Sequence, residues 1–346
     1  MKKERVKCLD FVRAISMFII VIFHFNCTLA PHNVYNGNIP IFFYDYINGN
    51  AGQLGVSLFF ILSGASLMYN YQDSINIKEY FYKRWKGIFP MFYIAWIIGF
   101  IFYFVRYRTV NPFLVPREPW TIILTILGMD GYFADVIPNY YILGEWFLGC
   151  IILLYVLFPI LLWIYKKIGI DKLLLISVIF YIMIVYLYNE SIFSVDKLFL
   201  TRILDIVFGM FFIIKLKKIK IYQVLLALIF IFIVFNYYIP INQMYKISLS
   251  GMALFIILGY IGQKLNGKIM SIFQWFSSYS YSIFLVHHIV IDQVCTYFDG
   301  ENYDYMSTLL VFGVTLLSIL ICAVLLQKLN KRIMIMVTNF MKKEMV

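Results

Sequence analysis

LDFVRAISMFIIVIFHFNCTLA, Leu9 to Ala30, is the stretch from which the rest of the chain is read. It is long and apolar enough to cross a bilayer, yet it contains Asp10, Arg13 and His24. A charged side chain at the bilayer centre costs about 2.5–3.5 kcal/mol on insertion scales, so such groups face protein or water and mark candidate functional sites. At about 100° per residue, Arg13 and His24 lie three turns apart on one helix face, about 16 Å along the axis. Two readings fit this helix alone. One is a polar functional stripe; the other is a structural Asp10–Arg13 ion pair with His24 hydrogen-bonded in the bundle.

Composition agrees with a membrane setting. Of 346 residues, 62% are hydrophobic and 14% charged, with a mean hydropathy of +0.83; soluble domains run at about 45–50% apolar and about 25% charged. The 29 Lys and Arg exceed the 18 Asp and Glu, but they sit in short clusters between apolar runs, which speaks for membrane orientation and against a nucleic-acid partner. Cys8, Cys27, Cys150, Cys295 and Cys322 show no CxxC or His/Cys ligand spacing. Neither a disulfide framework nor a metal site is expected. The MKKERVK start followed by an apolar run reads as an uncleaved signal anchor.

Ten segments have spanning length and hydropathy, at about 9–30, 54–71, 88–106, 144–165, 172–189, 198–214, 222–239, 247–263, 276–294 and 307–327. The expected fold is an all-α polytopic membrane protein of about ten transmembrane helices in one bundle. With both termini cytoplasmic, 22 Lys and Arg fall inside, 5 outside and 2, Arg13 and Arg202, within helices. That asymmetry favours this register over its inverse. Trp120 to Met129 is apolar but too short to span, and is expected to be interfacial or re-entrant. The outer segments Pro31 to Gln53 and Val110 to Gly144 are long and rich in Asn, Gly, Pro, Tyr and Asp, side chains suited to sugar hydroxyls and rings. They read equally as plain solvated loops.

Other groups recur near membrane boundaries. EYFYKRWKGIFP, Glu79 to Pro90, gathers Lys83, Arg84 and Lys86 before the third span; they can grip a polyanion or simply orient the helix. SYSYSIFLVHH, Ser278 to His288, puts His287 and His288 in mid-span, as site residues or as packing histidines. Glu145 stands at the outer mouth of the fourth span, either to bind a hydroxyl, to orient a histidine, or as a solvated carboxylate. Arg202 with Asp205 reads as a helix-packing pair and is left outside the site.

Taken in order, these segments resemble the acyltransferase family 3 of integral membrane acyltransferases. LDFVRAISMFIIVIFHF resembles the first-helix signature and maps to Arg13 and His24; GVSLFFILSG, Gly55 to Gly64, is similar to the second-span motif. YKRWKGIFPMFY, EWFLGCIILLYVLFPIL and SYSYSIFLVHHIV resemble the basic, fourth-span and late motifs. Two departures stand out. The family's basic motif has two arginines three apart, whereas Gly87 follows Arg84 at that spacing, so Lys83 or Lys86 must substitute, without bidentate geometry. In the late motif Phe284 occupies the aromatic position, His287 is the match and His288 is extra.

The resemblance implies one membrane-embedded acyltransferase domain over 1–346, with no appended esterase-like domain, in the cell membrane. Its expected activity is O-acyl transfer, acetyl first, from cytosolic acetyl-CoA or another acyl-CoA to a hydroxyl of a surface polysaccharide or lipid-linked glycan. Acyl-CoA, the glycan and membrane lipids are the expected partners, no cofactor is permanently bound, and homo-oligomerisation is left open. Lys83, Arg84 and Lys86 would hold the CoA phosphates, and Arg13 would position the donor. His24 would act as general base or as nucleophile through an acyl-imidazole, with His287 and Glu145 completing the catalytic set. The alternative is a transporter or flippase for a lipid-linked glycan, binding through Arg13, His24 and Glu145.

Overall fold

The computed structural model describes residues 5–32, 40–108, 117–189, 192–298 and 304–344. The portions 33–39 and 109–116 of the expected outer loops, and Lys2 and Lys3 of the first basic cluster, lie outside the described residues. In chain order the elements are α1 (Lys7–His32), β1 (Asp45–Tyr46), β2 (Gly49–Asn50), α2 (Ala51–Tyr71), α3 (Ile77–Tyr107), α4 (Ile122–Ile126), α5 (Asp130–Phe133), α6 (Glu145–Ile168), α7 (Ile170–Leu187), α8 (Ile203–Phe211), α9 (Ile221–Asn236), α10 (Gln243–Lys264), α11 (Gly267–Tyr297) and α12 (Tyr305–Glu344).

Among the described residues, seven helices are long and apolar enough to cross a membrane: α1, α2, α3, α6, α7, α10 and α12. The chain is an all-α, multi-pass membrane protein. Large apolar side chains stand exposed on α7 (Leu175, Ile176, Ile179) and α9 (Leu225, Leu226, Ile229). In water such stripes would be association surfaces; against lipid they are the expected outer face.

The ten expected spans all fall on helices, but three differ from the simple picture. The 198–214 segment is interrupted. The Arg202 Nε and Nη2 donate to the Asp196 carbonyl at 2.9 and 2.7 Å, which holds the chain in turns until α8 begins. The helix α8 has nine residues and passes into a π-helical turn at Phe212–Leu216. The 222–239 segment is the 16-residue α9, short of the roughly 20 residues a span needs. The third, α11, has 31 residues, but Gln274, Ser277, Ser278, Ser280, Ser282 and two histidines depress its hydropathy. Trp120 to Met129 holds a 3-10 turn at Pro119–Thr121 and the five-residue α4, far below spanning length.

Two compact units divide the chain. The first comprises 1–26, 40–75 and 150–278, and the second 27–39, 76–149 and 279–346.

In the first unit the tightest crossing is α2 on α8. A Cβ on Gly64 would run into the Ile206 carbonyl oxygen, and one on Gly209 into the Ile61 carbonyl oxygen. Small residues at a crossing let two backbones touch, the usual device where helices cannot associate by hydrophobic exclusion alone. Beside that crossing, Arg202 and Asp205 are fully buried and paired at 3.4 Å, and Ser57 Oγ donates to Asp205 Oδ1 at 3.1 Å. The short hairpin ahead of α2 ends in a capping box. The Gln53 N–H donates to Asn50 Oδ1 at 2.9 Å, and the Asn50 N–H to Gln53 Oε1 at 3.3 Å. Asn48 ties the hairpin to the end of α9 by donating to the Tyr237 carbonyl at 2.8 Å.

In the second unit, α3 anchors the segment 117–144. The Tyr93 hydroxyl donates to the Ile126 carbonyl at 2.6 Å and Trp96 Nε1 to the Tyr140 carbonyl at 3.0 Å. Buried Asn139 donates to the Asp130 carbonyl at 2.9 Å and accepts from the Tyr141 N–H at 2.9 Å. These bonds fix the path by which the chain enters α6.

Gly209→Ala is expected to force α2 and α8 apart and to destabilise by about 1–3 kcal/mol, the usual cost of overpacking. Gly313→Ala, where a Cβ meets nothing within 4 Å, serves as control. Thermal unfolding in detergent should show a lower midpoint for the first variant only.

Candidate active site

Two groups of polar residues stand within spanning helices, one in each unit. In the first unit, α1 packs against the start of α11 through Phe11 on Phe273 (centroids 4.6 Å) and Phe18 on Phe276 (4.9 Å). That pairing brings Ser277 to the polar end of α1. Buried Asp10 is gripped by Arg5, whose Nη2 donates to Oδ1 at 2.7 Å and whose Nε lies 2.5 Å from Oδ2. Ser277 Oγ also donates to Asp10 Oδ1, at 3.0 Å. Arg13 stands further off, with Nη1 3.6 Å from Asp10 Oδ1. Its guanidinium donates instead to two hydroxyls, Ser277 Oγ and Ser66 Oγ, each at 3.3 Å.

Of the two readings of the first helix, the simple Asp10–Arg13 pair is therefore incomplete. Two guanidinium groups share one carboxylate, the closer being Arg5, so among the described residues the cluster keeps a surplus positive charge, held on Arg13 by neutral hydroxyls. Such an arrangement suits an anionic ligand. His24, half-buried on the same helix, meets the Phe23 ring edge-on at 5.2 Å.

In the second unit, Glu145 opens α6 and lies against both histidines of α11. His288 Nε2 is 2.6 Å from Glu145 Oε1, and His287 Nε2 is 3.4 Å from the same oxygen. The first distance is that of a close ion pair when the His288 imidazole is protonated. His287 Nδ1 is 2.8 Å from the Phe284 carbonyl. Since a carbonyl only accepts, the ring proton sits on Nδ1, which makes Nε2 the basic nitrogen. Phe284 meets Phe147 edge-on at 5.5 Å and stacks with Tyr281 at 6.3 Å. The position that lacks a phenolic hydroxyl thus acts through its ring and its carbonyl. Glutamate and two histidines are ligand types that a divalent metal takes, and equally groups that exchange protons with a substrate.

Glu145 is held in a conformation that disfavours it. Its φ is 44°, in the left-handed region, directly after Gly144 at φ 98°. A non-glycine residue there costs on the order of 1–3 kcal/mol and persists only where the surroundings over-determine it. Gly131 supplies that constraint, for a Cβ there would lie 2.5 Å from the Glu145 carbonyl carbon and oxygen. Gly131 is in turn placed by Asp130, which is buried and accepts the Gly131 N–H at 3.0 Å. Burial pushes the Asp130 carboxyl up to about 7.

Of the three basic residues of α3, Arg84 stands apart from the other two. Lys83 and Lys86 are exposed and about 60° apart around the helix. Lys83 pairs with Glu79 at 2.7 Å, and Lys86 lies over the Tyr82 ring at 6.0 Å. Arg84 is half-buried on another face, 5.9 Å from the centre of the buried Tyr80 ring.

The structure thus gathers Glu145 with His287 in the second unit, and places Arg13 and His24 on α1 of the first. Sequence reasoning undervalued His288, the nearest partner of Glu145, and did not single out Arg5, Ser66, Ser277 or Gly131. Only the adjacency of His288 to His287 was a legible signal.

Asp130 carries a pH dependence. Its folded value of about 7 lies above its ordinary 3.8, so as pH rises between these values the unfolded chain ionises first and stability falls. Asp130→Asn should flatten thermal stability across pH 4–8 and leave the variant more stable than the parent at pH 8. Among curated proteins and solved structures, nothing matches the chain. Residues 6–327 match the family model described as an acyltransferase domain. The match covers nearly the whole chain, takes in Asp10, Arg13, His24, Glu145, His287, His288 and the α3 cations, and agrees with the order of the motifs: this protein belongs to the acyltransferase family 3 domain family.

Proposed function

We propose that the protein is an integral membrane O-acyltransferase of the cell membrane, acting as one membrane-embedded domain with both termini cytoplasmic. It takes an acetyl group from cytosolic acetyl-CoA and places it on a hydroxyl of a surface polysaccharide or its lipid-linked precursor. Family membership supports acyl transfer. The observation that carries the finer reading is His287, with its proton turned onto the Phe284 carbonyl and its basic nitrogen beside Glu145.

Transfer breaks the thioester C–S bond and forms a C–O bond, while the hydroxyl proton ends on the departing CoA thiolate. In this reading the surplus charge at Arg13 orients the anionic donor, and Lys83, Arg84 and Lys86 attract its phosphates to the cytosolic side. His24 acts on the donor, either as base for direct attack or as the nucleophile that carries the acetyl group as acetyl-imidazole. His287 takes the acceptor's hydroxyl proton, and Glu145, held by His288, stabilises the imidazolium that forms. The protein itself needs no bound cofactor for these steps.

Purified protein incubated with labelled acetyl-CoA and cells' glycan extract should show label transfer. His24→Ala and Arg13→Ala should each abolish it while the protein stays inserted. His287→Ala should lower it by about 10²–10⁴-fold, the usual contribution of a general base. Retained transfer in both α1 variants would overturn the reading, and no thioester cleavage with any acyl-CoA would favour transport. A label trapped on His24 would establish the two-step route. Gly131→Ala should displace Glu145 and depress kcat more than the acetyl-CoA KM, as measured in the same assay.

A further inference from the structure

A separate groove in the second unit is built unlike the polar clusters. It encloses about 810 Å³ between α3, α11 and α12, within the roughly 300–1,000 Å³ range of small-molecule sites. Its walls are almost wholly apolar, with Gly99, Leu143, Ile289 and Leu325 among them, and Lys328 and Arg332 also line it. These two cations are four residues apart on α12, hence one above the other on the helix face that lines the groove. Both are exposed, and among the described residues neither has an ion-pair partner.

Hydrocarbon chains alone would satisfy the apolar walls but leave the two cations facing no counter-charge. A zwitterionic lipid would bring its own cation to the same place. An apolar space whose lining includes two cations is complementary to an amphiphile with acyl chains and a net negative phosphate head, and basic pockets between spanning helices bind such heads. We propose that this groove is a binding site for an anionic phospholipid, its chains between α3, α11 and α12 and its phosphodiester on Lys328 and Arg332. The occupant packs against Leu143, two residues before Glu145, and against Leu285 and Ile289, which flank His287 and His288 on α11. A bound lipid therefore braces the segments that carry the Glu145 cluster, whatever reaction that cluster serves.

The test uses the full chain reconstituted into vesicles of phosphatidylcholine or of phosphatidylcholine with phosphatidylglycerol, extracted gently and examined by native mass spectrometry for retained lipid. Phosphatidylglycerol should be retained in preference, and Lys328→Gln with Arg332→Gln should weaken that retention about thirtyfold, the contribution of two interfacial cations. Lys331→Gln, a neighbouring cation outside the groove lining, should leave it unchanged. Equal retention of both lipids would overturn the proposal. So would an equal loss in Lys331→Gln, which would mean a general surface attraction, or displacement by inorganic phosphate, which would mean a simple anion site. None of these readouts depends on acyl transfer, so the proposal and the enzymatic reading stand or fall separately.

Discussion

Every ionisable group placed where lipid surrounds the chain must be satisfied by protein, because hydrocarbon offers neither hydrogen bonds nor counter-ions. That requirement explains the polar architecture of both units. In the first, Arg202 and Asp205 are fully buried, and carbonyl, hydroxyl and opposite charge meet their polar groups. Asp10 is likewise met by Arg5 and Ser277. The difference between the two sites is charge balance. The Arg202 site closes on itself as a one-to-one pair that staples α8 to α2, whereas the Asp10 site holds two guanidiniums on one carboxylate. A balanced pair is a fold element; an unbalanced one is disposed to attract something negative.

The same constraint shapes the second unit, where backbone and side chain share the task. Glu145 is useful to His287 and His288 only if the start of α6 turns its carboxylate towards α11. The left-handed φ of Glu145 and the close approach of Gly131 accomplish this, while hydrogen bonds from Tyr93 and Trp96 hold the preceding segment to α3 and Asn139 closes that segment on itself. Strain at one residue is thus sustained by an ordered stretch of chain that contains no spanning helix. A methyl group in place of Gly131's hydrogen would disturb the carboxylate through the Glu145 backbone without touching the carboxylate itself.

Much of this was legible in the residues. The polar stripe of the first helix, the membrane-spanning hydropathy, the short character of Trp120 to Met129 and the motif order that names the family all follow from local sequence, because each depends on spacing within one segment. Hydropathy set the bounds of 198–214 without registering that Arg202 captures the Asp196 carbonyl and delays α8. It also could not show that Arg84 is half-buried against Tyr80 while Lys83 and Lys86 stay exposed, or that Lys83 is engaged by Glu79.

The sequence by itself determined the class of the protein, its family and the identity of Arg13, His24, Glu145 and His287 as the groups that lipid would not tolerate unpartnered. Only the tertiary structure decided the partners. Arg5, rather than Arg13, is the closer counter-ion of Asp10; His288, rather than His287, lies nearest to the Glu145 carboxylate; and Gly131 dictates the backbone of a residue fourteen positions later. The reason is physical. The cost of a buried charge is a local property that one segment announces, whereas its compensation comes from side chains and backbone far away in sequence, whose approach depends on how the helices pack.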